Sequence, residues 1–276
     1  MGKRWISAAL KAVCIITLTV WSIGPIALVV LSSFKEAKNI FETPYKVVFW
    51  PTTENYRTLY ETGPEFFRGL VNSGLISFGA ITTTIVVTFL AGYVFARSRK
   101  ATHNGIAFFM LFIRMLPPIV IVIPLYPVVS YLALNDTHIL LVLLYSSFYV
   151  SLGAWIMRSF IREIPIELEE SAAIDGASLF QMIRMIIIPL SKPGIITVAL
   201  FVFVFAWNEY VFAMIFTTSG ARTAPVVIAE WLSTAEGVQW GTIFAASTIQ
   251  LVPVMLIVLC LQRYLVTGLT AGAVKG

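Results

Sequence analysis

Charge inside an apolar run is the first place to look for chemistry in this chain, because an ionised side chain at membrane depth usually faces a cavity, water or a partner. Two residues fit: Arg114 within 104–131 and Glu209 within 193–217. Glu209 belongs to the tetrad Trp207-Asn208-Glu209-Tyr210, which joins hydrogen-bonding side chains to aromatic faces, the combination that a path for a polar solute needs. The same tetrad also suits interhelical glue or an outer-interface cluster. Arg114 precedes Met115-Leu116-Pro117-Pro118, and the double proline frees backbone carbonyls and bends its helix. Arg114 either lines a cavity or snorkels to the inner headgroups. At 1.5 Å per residue the tetrad lies roughly 24 Å past Lys192 and Arg114 roughly 12 Å deep, too far apart for an easy direct pair.

Other chemistry finds little support. His103 and His138 are 35 positions apart with no Cys, Asp or Glu at ligand spacing, so no metal site is expected. Cys14 and Cys260 sit in apolar runs, where a cysteine is a small soft hydrophobe. No His-Glu-x-x-His, Gly-x-Ser-x-Gly or intramembrane Asp pair is present, so no catalytic residue is assigned. Gly-Lys pairs occur only as Gly2-Lys3 and, reversed, Lys275-Gly276, and nothing matches a phosphate-cradling loop. No cofactor is expected in this chain. The net charge of +5 is spread along the sequence, which speaks against nucleic-acid binding.

The elements that must carry these residues follow from composition. Only 12% of the 276 residues are charged and 58% are hydrophobic, at a mean hydropathy of +0.88. A soluble domain carries about 25% charged residues, so the solvent is largely lipid. Crossing it takes about 20 apolar helical residues, because every backbone polar group must be paired within the segment. Six stretches qualify: 12–33, 70–96, 104–131, 138–157, 193–217 and 241–262. The sequence therefore predicts an all-α integral membrane protein with six transmembrane helices.

Basic residues between the spans set the orientation. With the N-terminus inside, the inner side holds Lys3, Arg4, Lys11, Arg97, Arg99, Lys100, Arg158, Arg162, Arg184, Lys192, Arg263 and Lys275. The outer side holds Lys35, Lys38, Lys46, Arg57, Arg68 and Arg222, a bias of about twofold toward an N-in, C-in arrangement. Residues 1–33 comprise a cytoplasmic N-terminus and a first helix whose core of about 22 residues outlasts a signal-peptide core, so it is read as retained. Residues 34–69 form an extracytoplasmic loop, and 70–276 a five-helix core with a long inner segment at 158–192, an outer loop at 218–240 and a tail at 263–276.

The inner segment is the most informative. Pro165 suits the first turn of a helix, and Glu167, Glu169 and Glu170 put negative charge at its positive end. Ala172, Ala173, Gly176 and Ala177 leave that helix nearly bare, so another protein can approach its backbone closely. Ser178 and Gln181 stand in capping-box register for a second helix running to Pro189. The product is a helix–turn–helix knob in the cytoplasm. A plain connector re-entering the interface on Ile186 to Ile188 is the alternative, but a connector has no need of small residues around its turn.

Glu170-Ser171-Ala172, then Gly176, then Ile186, Ile188 and Pro189 resemble the EAA loop of the membrane subunits of ABC importers, with Ser171 in place of the first Ala and Ile188 in place of Leu. The tail GLTAGAVKG at 268–276 is similar to the C-terminus of maltose-type permease subunits and other carbohydrate importers of that family. The resemblance implies a type I ABC importer permease translocating a carbohydrate. It implies that Glu170, Ser171, Ala172, Asp175, Gly176 and Ala177 contact a cytoplasmic ATPase, and that the tail, with Gly268, Leu269, Thr270 and Lys275, reaches toward it. It further implies that ATP and Mg are bound by two nucleotide-binding ATPase subunits, that a second permease subunit completes the pore, and that an extracytoplasmic binding protein delivers the sugar. Trp207, Asn208, Glu209, Tyr210 and Arg114 then become candidates for the translocation path. A stand-alone channel or secondary transporter is the alternative; it would need no docking loop. The location implied is a bacterial or archaeal cytoplasmic membrane.

Overall fold

The structure is a computed structural model that describes residues 2–233 and 237–270, with side chains described for 10–233 and 237–262. The described residues form helices and turns and no strands. Helix α1 spans Gly2–Ser33, α2 Glu54–Thr62, α3 Pro64–Arg97, α4 Ala101–Ile113, α5 Pro118–Tyr131, α6 His138–Arg162 and α7 Glu167–Ile174. Then come α8 Leu179–Met182, a π-helical turn at Ile183–Ile187, α9 Ile188–Leu190, α10 Lys192–Trp207, α11 Val211–Phe216, α12 Ala224–Trp231 and α13 Trp240–Thr270.

Among the described residues, four helical stretches are long and apolar enough to cross a membrane: Leu10–Ser33, α3, α6 and Trp240–Gln262. Two bent pairs bring the number to as many as six: α4 with α5 at 93°, and Leu179–Leu190 with α10 at 72°. The first bend falls at Arg114–Pro117, where Pro117 and Pro118 cannot donate to the preceding turn. The second bend differs from the single run expected at 193–217. The helix that begins at Lys192 stops at Trp207, α11 restarts at Val211, and the continuation that bends into α10 comes from the inner segment. Apolar residues continue on both sides of Asn208 and Glu209 within 193–217, so length and composition alone give no sign of the interruption.

The chain divides into two compact units. One comprises residues 1–67 and 227–252. In it the Asn55 amide donates to the Ser33 and Lys35 carbonyls at 2.8 and 2.7 Å, and the Tyr56 and Ser33 hydroxyls share a 2.7 Å hydrogen bond. Lys35 is buried with its ammonium 3.4 Å from the centre of the Tyr45 ring. The Trp231 indole donates to Glu65 at 3.1 Å. The segment 34–69 is thus ordered around α2.

The other unit comprises 68–226 and 253–276. Its core is built on α6, which buries Leu141, Tyr145, Met157 and Ile161 beside Ile76 of α3 and Val198 of α10. Gly153 of α6 lets the helices approach: a Cβ there would meet the Thr88 side chain at 2.6 Å and Val198 at 3.2 Å. Small residues at such crossings are how apolar helices pack closely in lipid.

Candidate functional site

The helix–turn–helix knob at 165–190 is built by local chemistry at its tip and by distant chemistry at its root. Helix α7 begins at Glu167, two residues past Pro165. It ends in a Schellman motif: the Gly176 N–H donates to the Ala173 carbonyl at 3.1 Å and the Ala177 N–H to the Ala172 carbonyl at 2.9 Å. Gly176 has φ +82°, the left-handed region in which a Cβ is strained. Two residues on, the Ser178 hydroxyl accepts from the Gln181 N–H at 3.3 Å while the Gln181 side chain accepts from the Ser178 N–H at 2.8 Å, the reciprocal capping box expected there.

The second helix of the knob is not one plain α-helix. It runs through α8, the π turn and α9, and it ends at Leu190. Pro189 has no N–H for the preceding turn, and a π turn redistributes the ladder upstream of it. Only Ser191 separates this arm from α10. Ser191 is fully buried, with its hydroxyl donating to the Ile187 carbonyl at 2.6 Å.

Glu169 departs from its expected part as one of three helix-end charges. It is 6% exposed and takes Arg97 Nε on Oε1 at 2.6 Å and the Tyr93 hydroxyl on Oε2 at 2.8 Å. Arg97 Nη2 lies 2.6 Å from the same Oε1 and donates to the Ile164 carbonyl at 3.0 Å. This ion pair ties the start of α7 to the end of α3 across 72 positions of sequence, and no local pattern announces it. Glu167 and Glu170, by contrast, are exposed.

Of the residues assigned to ATPase contact, Glu170, Ser171, Asp175 and Gly176 are exposed and Ala172 and Ala177 half-buried around the turn. Beside them the structure places apolar side chains that sequence reasoning passed over: Ile174 is 87% exposed, and Leu179, Phe180 and Met185 are also exposed. Their signal was available, as apolar residues flanking a glycine turn on an acidic segment. In the tail, Gly268, Leu269 and Thr270 continue the backbone of α13, and Lys275 lies outside the described residues.

The embedded polar residues divide. Arg114, at the end of α4, lines a cavity of about 430 Å³ with Met110, Ser147, Ser151, Phe148 and Phe212 among its walls. The guanidinium lies over three rings, 5.8 Å from Phe148, 5.9 Å from Tyr149 and 5.6 Å from Phe205. The Glu209 carboxylate accepts from the Phe212 and Ala213 N–H groups at 2.9 and 3.3 Å, so its charge meets the N-terminus of α11.

The rest of the tetrad does not form one face with Glu209. Trp207 is buried and stacks on Phe203 at 5.5 Å, the Asn208 amide donates to the Val204 carbonyl at 2.7 Å, and Tyr210 is exposed. The helix breaks there because Asn208 bonds back to the previous turn while Glu209 caps the next one.

The apolar surface, the long apolar helices and the two bent helix pairs define a multi-pass membrane component. The chain belongs to the family described as "Binding-protein-dependent transport system inner membrane component", whose model matches residues 73–270. It is a permease subunit of the ABC importer type and not an enzyme.

Among its relatives, the trehalose/maltose transport system permease protein MalG of Thermococcus litoralis is 34% identical over 278 residues, covering 100% of both chains. The trehalose transport system permease protein SugB of Mycobacterium tuberculosis is 39% identical over 82% of each chain. The diacetylchitobiose uptake system permease protein DasC of Streptomyces coelicolor is 30% identical over 100% of this chain and 98% of that one. Among solved structures, a chain of a bacterial ABC transporter that imports the acidic polysaccharide alginate superimposes with a TM-score of 0.82 at 17% identity, over 96% of this chain and 98% of that one. A chain of the alginate transporter in complex with its pentasaccharide-bound periplasmic protein gives a TM-score of 0.68 at 16% identity, over 95% and 94%. At those identities the likeness is one of fold.

Proposed function

We propose that this chain is one half of the pore of an ATP-driven carbohydrate importer, crossing a bacterial or archaeal cytoplasmic membrane six times with both termini inside. The bent pairs each count as one crossing in this reading, and residues 70–276 form the permease core. A second permease subunit faces it, two nucleotide-binding subunits hold ATP and Mg below it, and an extracytoplasmic sugar-binding protein delivers cargo above it. The cargo class rests on the relatives, which are named for trehalose, maltose and diacetylchitobiose transport.

The observation that carries the reading is the exposed turn at Gly176 on an arm that passes through Ser191 into α10. Glu170, Ser171, Ala172, Asp175, Gly176 and Ala177, with Ile174 and Phe180 beside them, are the ATPase contact. Gly268, Leu269, Thr270 and Lys275 extend toward the same partner. When ATP closes two ATPase subunits, each drags its knob, and the arm swings α10. Outward- and inward-open states are thereby favoured by different ligands, which is what coupling requires. Arg114, Asn208, Glu209 and Tyr210 mark the translocation path, and Trp207 braces it from behind.

Reconstitution with the ATPase and the binding protein tests this. Glu170→Ala and Gly176→Val are expected to abolish ATP-dependent sugar uptake and weaken ATPase capture while the permease still reaches the membrane. Full uptake and full ATPase capture by both variants would leave a channel or secondary transporter as the better reading.

A further inference from the structure

The corner where α3 ends, α4 begins and α6 ends holds a charge that the chain itself does not balance. Arg158, in the last turns of α6, is 8% exposed, and its guanidinium lies 5.3 Å from the centre of the Trp155 ring. Its Nη2 donates to the Asn104 side-chain oxygen at 2.5 Å. Its Nε is buried with no hydrogen-bond partner in the chain, and among the described residues no carboxylate forms an ion pair with it. The charge that bears on it is another cation, Arg162, one turn further along α6. A buried cation that meets only its own sign is costly, and an anion relieves that cost.

Asn104 lies in the first turn of α4, so its bond brings the guanidinium to the start of that helix. The start is bare of negative charge: Lys100 stands at the cap position, no side chain caps the helix there, and the first turn holds no acidic residue. Ser98 holds the preceding turn, its hydroxyl accepting from the Lys100 N–H at 3.2 Å and lying 2.5 Å from His103 Nδ1. Arg99 and Lys100 are exposed beside it. The open N–H groups of a helix start, its positive dipole end and a guanidinium together suit an oxyanion, above all a phosphate. What carries that phosphate is read from the surroundings. Phe95, Ala107 and Ala154 pack an apolar core at this corner, with Met110 against it. Phe108 and Phe112 further along α4 are exposed, as is Trp155, and α4 belongs to a bent pair apolar enough to cross a membrane. A free anion gains nothing from those rings, whereas an amphiphile with a phosphate at one end and alkyl chains at the other satisfies both parts.

We infer that Arg158 and the start of α4, with Lys100 at the rim, form a headgroup site for an anionic phospholipid of the leaflet at this end of α6. The phosphate sits at 101–104 and the acyl chains run along Phe108 and Phe112. Asn104 is a positioning residue, because its side chain holds the guanidinium against the helix start. The site involves neither cargo nor nucleotide, so it goes beyond the importer reading and is tested apart from it.

The test places the full-length chain, within its assembled transporter, in phosphatidylcholine nanodiscs doped with a photoactivatable phosphatidylglycerol, and maps the labelled peptides by mass spectrometry. Label is expected at 101–113 and around Trp155, and unlabelled phosphatidylglycerol is expected to compete it away while added phosphatidylcholine and inorganic phosphate do not. Arg158→Gln is expected to raise the half-competing amount of phosphatidylglycerol about tenfold. Arg158→Lys keeps the charge without the planar fork and is expected to raise it only about threefold. Lys100→Gln alters an exposed side chain, carries the measurement should the Arg158 variants fail to assemble, and is also expected to give about threefold. Lys38→Gln, an exposed lysine in the other unit, is expected to leave the labelling of α4 unchanged. Competition unaltered by Arg158→Gln and Lys100→Gln overturns the proposal. So does displacement by phosphatidylcholine, which would mean unselective lipid, or by inorganic phosphate, which would mean a free-anion site. Failure of Arg158→Gln to assemble, together with wild-type competition in Lys100→Gln, overturns it as well by making the corner a matter of folding alone.

Discussion

The knob around Gly176 and the segment at 217–223 are both short irregular turns between helices, and they are held in opposite ways. The knob's tip is closed by bonds between residues at most five positions apart: Ala177 to Ala172, Gly176 to Ala173, Ser178 with Gln181. The segment at 217–223 is held by residues far away in sequence, Asp136 and Asn72. A turn closed by its own residues keeps its shape when carried to a new place, whereas a turn held by neighbouring elements keeps its place. The first arrangement suits a part that is pushed, and the second a part that stays put.

The contrast breaks most severely at the root of the knob. Arg97→Ala leaves Glu169 buried without its cation, a situation that costs about 3–5 kcal/mol. Thermal unfolding of the purified subunit is expected to show that loss. The double variant with Glu169→Gln should recover part of it, and recovery of none would mean that the pair is not coupled. Gly176→Val comes next. A Cβ at φ +82° costs about 1–2 kcal/mol, while the space around it is open, so the strain lies in the backbone alone. Proteolysis at the knob is expected to rise in Gly176→Val and stay near wild type in Gly176→Asn, since Asn tolerates that region. Ser178→Ala removes a helix cap worth about 1 kcal/mol, and hydrogen exchange at Leu179 to Gln181 should quicken without change at 217–223.

The smallest effect expected is that of pH on the bonds that Asp136 makes to 217–223. Burial alone would raise the Asp136 carboxyl, but the N–H groups of Ala221, Gly220 and Thr218 and the Thr218 hydroxyl outweigh it and hold the group well below the usual carboxylate range. A depressed value stabilises the fold above the unfolded-state value of about 3.9 and is lost as pH falls through the folded one. The difference in melting temperature between wild type and Asp136→Asn should therefore be flat from about pH 5 to 8 and shrink only below about pH 4. A slope near neutrality would show that the carboxylate is not held by those donors.

What could be read from the sequence was whatever is encoded over a few residues. Gly176, the Ser178–Gln181 box and the Pro117-Pro118 break each act on their own turn, so their types and spacing were enough. The Arg97–Glu169 pair could not be read, because Arg97 counts in the sequence only as one of the basic residues that set orientation and Glu169 only as a helix-end charge, until α3 and α7 are brought together. Asp136 has no part in the sequence reading, because the donors that meet its carboxylate begin 82 positions later. The break at Asn208 and Glu209 was hidden differently: hydropathy sees only that apolar residues continue on either side, so the run reads as one helix whichever way the polar pair faces.

The 72° bend at Ser191 makes the arm and α10 a bell crank. With 16 residues α10 is roughly 24 Å long, so a rotation of about 5° about that corner would shift its far end by roughly 2 Å. That is small enough for the side chains that α10 packs against along α6 to slide past one another without rebuilding the core.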